Sequence, residues 1–257
     1  MRSRAGPDQG GLALRASSTP KETAMAAREQ ITNEQKELIK RKSWEKITGS
    51  PLMARFVDPD QSALRALFVG YWPFVDGFPA VIQKTYEATE QFARHGKVLS
   101  GALREMETDE RNHRALWLRS VAAADIPEED LYEAQPLPAV LRVTEAMLER
   151  QALWQRLLDF VAVEIVAEGI SQAFMSSEKF RVRMGTKGTA WFKVHMVHPA
   201  DQTTHEDIAY RAAVALMPGT LTEPVLDVVD RTIQETVDRF LVAIEACVEE
   251  QDALEMS

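Results

Sequence analysis

Three segments of this chain carry the residue types that bind metal ions. The first is Glu110-Arg111-Asn112-His113. A spacing of three sets the carboxylate and the imidazole on one face of a helix, and Glu-x-x-His supplies ligands in di-iron carboxylate bundles. Position says more than spacing. Leu99, Leu103 and Met106 mark an apolar stripe, and Glu110, His113 and then Trp117 are its next inward positions. A carboxylate that interrupts a core-facing stripe needs a partner, because buried charges are rarely left alone. The competing explanation is a rim ion pair with Arg104 or Arg114.

The second segment runs from Leu157 through Glu168 and is apolar almost all round, as a buried helix is. Glu164 sits in its middle and Glu168 one turn on. A buried carboxylate is tolerated when protonated or paired, and a metal is one such pairing. One of the two is expected to face solvent, and Asp159 likewise. The third segment holds three of the five histidines: His195, His198 and His205. His198, Asp201 and His205 fall at i, i+3 and i+7, one helical face that continues through Ile208, Ala212 and Leu216. Imidazole with carboxylate and no thiolate leans towards iron or manganese, with a mononuclear zinc site as the chemical rival.

Helices must position these residues. Thr32 with Gln35 forms a capping box that opens a helix to about Ile47. Asp58-Pro59 reads as the next start, an acidic cap followed by proline. Pro73 and Pro79 should kink or break the helix that carries Leu64, Leu67, Phe68, Tyr71, Trp72 and Phe74. Further helices are predicted over about 81–93, ended by His95-Gly96, and over 98–124. A long helix at 138–174, broken once, follows a short piece near Leu131. Residues 179–187 read as a linker with weak strand character. A helix follows from Thr189 or Pro199 to Leu216, stopped by Pro218-Gly219, and another covers 223–250. This pattern specifies an all-α bundle of about seven helices. Residues 1–28 lack periodicity and read as a disordered leader before a single all-helical domain at 29–257, with Met25 as an alternative start.

The chain has 257 residues, 45% of them hydrophobic and 27% charged, which suffices for a sizeable core. A net charge of −9 argues against a nucleic-acid partner. No apolar stretch is long enough to span a bilayer, so no membrane partner is expected. Cys247, the only cysteine, rules out an internal disulfide and fits a cytoplasmic protein. It reads as a small buried hydrophobe rather than a nucleophile. The charges from Lys36 to Lys46 and from Glu249 to Asp252 read as solvated faces.

Taken in order, these segments resemble the haem-oxygenase-like helical superfamily, and within it the non-haem di-iron oxidases. That superfamily also contains pyrroloquinoline quinone synthase and thiaminase II. Glu110-x-x-His113-x-x-x-Trp117 and the acidic turn after it resemble one metal-bearing segment. Phe160-Val161-Ala162-Val163-Glu164 resembles the segment that supplies a glutamate, with Glu168 as the alternative. Trp191-Phe192-Lys193-Val194-His195 through His205 resembles the last ligand helix. Tyr71-Trp72-Pro73-Phe74 and Phe78-Pro79 resemble the early helices. The likeness covers roughly residues 50–250. The family's last motif reads His-x-x-x-Asp-x-x-His, whereas Gln202 stands at the Asp position between His198 and His205. Alternatively His195, Asp201 and His205 are the ligands, and either way the second iron is in doubt.

The resemblance implies two irons that activate O₂ to oxidise a small organic substrate of amino-acid, amine or fatty-acid type, and it allows a homodimer. Phe68, Trp72, Phe78 and Trp117 are the expected pocket walls. The alternatives are a metal-free oxidase resembling pyrroloquinoline quinone synthase and a non-catalytic helical binding protein.

Overall fold

In the computed structural model, residues 31–89, 96–196, 204–219, 221 and 223–256 are described. They fold as helices throughout, with no strand among the described residues. The expected leader, the helix end at His95, and His198, Asp201 and Gln202 lie outside the described residues.

Among the described residues, twelve helical segments replace the expected seven because several runs break in two. Helix α1 (Asn33–Gly49) opens with the capping box: the Gln35 amide donates to Thr32 Oγ1, and the Thr32 amide donates to the Gln35 side chain. After α2 (Pro51–Val57), α3 (Gln61–Phe68) is capped by Asp60, which accepts from the Ala63 amide at 2.7 Å. The start therefore falls two residues beyond Asp58. Helix α4 (Trp72–Thr89) takes Pro73 in its first turn, where no backbone donor is needed, and runs on through Pro79. Helix α5 (Gly96–Ala123) begins at the glycine expected to end the previous helix.

Short α6 (Glu129–Glu133) leads to α7 (Pro138–Glu149) and α8 (Leu153–Ser176), separated by the one expected break. Residues 178–188 are not a linker but helix α9 (Glu178–Gly188), capped by Ser177 and bent at Gly185. Helix α10 (Ala190–Val194) is one turn and a half. Helix α11 (His205–Leu216) starts at His205 under a Thr204 cap, so the expected face joining His198 and Asp201 to His205 is not a face of this helix. Helix α12 (Val225–Glu255) closes the fold.

Helix α8 is the axis of the bundle, packing against α1, α4, α7, α10, α11 and α12. Its residues from Leu157 to Ile170 are buried except Glu164, which is half-buried, so neither Glu164 nor Glu168 faces solvent. Asp159, expected outside, is also fully buried. The break after α7 turns Arg150 back towards it, and the guanidinium donates to both carboxylate oxygens at 3.1 and 3.2 Å. Thr236 on α12 adds a third donor at 2.6 Å. No described helix is long and apolar enough to cross a membrane.

Candidate metal centre

Helix α5 sets the first two groups. Leu99, Leu103 and Met106 are buried on its inner face, as is Trp117 beyond the site. Between them Glu110 and His113 continue the stripe half-buried, and His113 Nδ1 donates to Glu110 at 3.2 Å. Neither expected arginine contacts Glu110: Arg104 donates to the Tyr86 hydroxyl, and Arg114 to Asp76 at 2.6 Å. The rim ion pair is therefore not what the geometry shows.

The third group arrives through two glycines. Gly185 takes φ +61°, a conformation that favours glycine, and redirects the chain within α9. Gly188 then lies against α5 so closely that a Cβ there would meet Ala123 Cβ at 2.7 Å. Its carbonyl accepts from Ser120 at 2.8 Å. The short α10 is thus pressed onto α5, with Trp191 edge-on to Trp117 at 5.0 Å. His195, buried at the end of α10, comes to rest with its ring centroid 4.5 Å from that of His113.

The result is a cluster in which Glu110, His113 and His195 each offer a ligand atom within 4.8 Å of the others. His195 Nδ1 lies 2.8 Å from the Trp191 carbonyl, an acceptor only, so Nδ1 carries the hydrogen and the ring lone pair is on Nε2. Such second-ring contacts orient metal-binding imidazoles. His113 differs, because its Nδ1 faces Glu110, itself a member of the cluster. Two imidazoles and a carboxylate with no thiolate form a donor set suited to non-haem Fe(II).

Glu164 lines the same cavity as Glu110 and His195. Burial pushes its carboxyl well above the usual carboxylate range, and repulsion from Glu110 adds to this against the attraction of His113. For His113, burial disfavours the charged ring, but the hydrogen bond to Glu110 and the charges of Glu110, Glu164 and Asp109 together raise its pKa.

Two further expected ligands, Glu168 and His205, lie outside this cluster. Glu168 is bound by the Lys40 ammonium of α1, which also lies 3.8 Å from Glu206. His205 Nε2 lies 3.6 Å from Asp109, outside the cluster. Lys36 and Lys40 therefore leave the solvated face expected of this run, whereas Lys42 and Lys46 of the same helix stay on it. Lys36 reaches Asp207 at 2.6 Å, and the side chains of Lys36 and Lys40 are only 15% and 12% exposed. Their spacing with Trp44, i, i+4 and i+8, was the available signal.

The cavity beside the cluster has a volume of about 40 Å³. Of the expected walls only Phe78 lines it; Tyr71, Phe74, Trp191 and Phe240 are its other aromatic residues. The Tyr71 hydroxyl and Trp191 Nε1 are buried, with no hydrogen-bond partner among the described residues. Cys247 is buried away from this cavity, and burial pushes its thiol up to about 12.

No family model matches the sequence, and no curated protein matches it. Solved structures do. A TenA homolog from Pseudomonas syringae pv. tomato str. DC3000 superposes with a TM-score of 0.68 at 17% identity, over 84% of this chain and 92% of that one. A domain of unknown function with a heme oxygenase-like fold from Shewanella denitrificans OS217 gives 0.65 at 12% identity, over 88% and 96%. A TenA homologue from P. horikoshii OT3 gives 0.56 at 14%, over 86% and 99%. Likeness at these identities concerns architecture alone, and by that measure the chain has the haem-oxygenase-like helical fold.

Proposed function

We propose that this protein is an iron-dependent oxidoreductase that uses O₂ to oxidise a small, largely apolar organic molecule. The observation that carries the proposal is the convergence of Glu110, His113 and His195, from segments distant in sequence, at the end of an apolar cavity. Those three side chains would hold the iron. Iron held there in its reduced form would supply electrons for O₂ activation.

The chain's own residues do the rest. Phe74, Phe78, Val163, Ile170 and Phe240 would exclude water and face the apolar part of a substrate, for which the cavity of about 40 Å³ would have to widen. Tyr71 and Trp191 present buried donors that a polar group on the substrate would satisfy. Glu164, held protonated by burial, is placed to give up a proton beside the centre. The test is anaerobic loading with Fe(II) followed by air. Oxygen uptake above that of free iron, lost in His195→Ala, is expected. A protein that binds no iron would sink the proposal.

A metal-free enzyme is the second reading, and the same Glu164 favours it. A protonated carboxyl beside His113 is an acid–base pair in its own right. Turnover that persists in excess chelator would select this reading.

A further inference from the structure

We infer that the Lys40 ammonium, not a second metal ion, is the cation that serves the acidic side of the core, so that the centre holds one metal per chain. This rests on the iron reading above and departs from a two-iron centre.

The acidic side is real. Glu164, Glu168 and Glu206 sense one another's charge across α8 and α11. Three carboxylates in a helical core would be a natural cradle for a divalent ion. Lys40 stands there instead, in contact with Glu168 and 3.8 Å from Glu206. Burial works against the charged amine, but Glu206 and Glu168 outweigh it and keep it an ammonium.

The lysine is held from behind. Its Nζ lies 5.1 Å from the centroid of the Trp44 ring, one turn along α1. Trp44 in turn donates its indole N–H to the Ile165 carbonyl at 3.2 Å and rests against Gly169, where a Cβ would meet its ring at 2.8 Å. A second metal bound through Glu168 would have to take it from this ammonium and then sit beside it as a like charge. Among the described residues, the one group of His, Cys, Asp or Glu gathered closely enough for a metal is Glu110, His113 and His195, which excludes Glu168.

The test is the number of ions, read without turnover. Dialysis of the full chain against Mn(II) should load about one equivalent, and its electron paramagnetic resonance should be the six-line spectrum of isolated Mn(II). Two equivalents with an exchange-coupled spectrum overturn the inference and leave the metal centre standing. No bound metal overturns the iron reading and this inference with it. Glu168→Gln should keep one equivalent with little change in affinity, whereas loss of a true ligand should weaken binding beyond the roughly 10–100-fold typical of losing an outer-shell partner. Such a weakening assigns Glu168 to a metal and overturns the inference. Lys40→Met uncovers the carboxylates and should admit a second Mn(II). If it folds and stays at one equivalent, the ammonium is not what excludes the second ion. If it fails to fold, the wild-type count and Glu168→Gln decide.

Discussion

His113 and His195 face each other with ring centroids 4.5 Å apart, although one belongs to the middle of α5 and the other to the end of α10. The Trp191 carbonyl engages Nδ1 of His195, which turns its Nε2 lone pair outward, whereas Nδ1 of His113 faces Glu110, itself a member of the cluster. His113→Ala and His195→Ala should each weaken iron binding beyond the roughly 10–100-fold typical of losing an outer-shell partner. Arg142→Ala, which removes an exposed surface ion pair, should leave it unchanged. Isothermal titration of anaerobic Fe(II) into each variant checks the prediction.

Stability of the metal-free protein should fall as pH rises through neutrality. Burial lifts the Glu206 carboxyl from its ordinary 4.5 to about 7, with Lys40 opposing and Glu168 reinforcing the shift. Between those values the folded chain holds a proton that the unfolded chain has released. The contribution is therefore complete below the ordinary value and is lost as pH rises through about 7. Melting temperatures between pH 5 and pH 9 should decline, and Glu206→Gln should flatten the decline. An equal slope in the variant would show that another group is responsible.

Asp159→Ala should be among the most damaging single changes in the core. It leaves the Arg150 guanidinium without its buried partner and removes the acceptor of Thr236. Breaking a buried pair in this way costs about 3–5 kcal/mol. Urea denaturation should show a loss of that order. A loss under about 1 kcal/mol would mean the pair contributes no more than a surface one.

Tyr71→Phe should act in the opposite sense. Its hydroxyl is buried and unpartnered among the described residues, and such a group costs about 1–3 kcal/mol. Removing it should raise the melting temperature of the substrate-free protein. If the hydroxyl instead meets a substrate, the same variant should lose turnover while gaining stability.

The helical architecture was readable because apolar spacing reports which side of a helix is buried. The α5 stripe from Leu99 to Trp117 placed Glu110 and His113 inward, where they are. The capping box at Thr32 and the break between α7 and α8 were equally local signals. What escaped depends on tertiary contacts. Asp159 looked like a solvent residue because its partners, Arg150 and Thr236, come from a chain reversal and from another helix. Residues 179–187 read as a linker because β-branched and glycine residues weaken helix propensity, yet Phe180 and Met184 bury a face there. The pairing of Glu168 was not legible because Lys40 comes from another helix, and its spacing with Lys36 and Trp44 marks an inner face without naming what that face meets.

The contact of Trp44 with Gly169 has a consequence for how this sequence can change over generations. An indole pressed onto a position without a side chain fixes the rotation and height of α1 against α8, and Lys40 is carried on the same helix. A methyl at position 169 would have to displace the tryptophan, and a single-residue insertion in α1 would swing the lysine by about 100° off its target. Neither position can drift alone. In descendants of this chain, a larger residue at 169 should appear only together with a smaller one at 44, and the lysine at 40 should disappear in the same lineages.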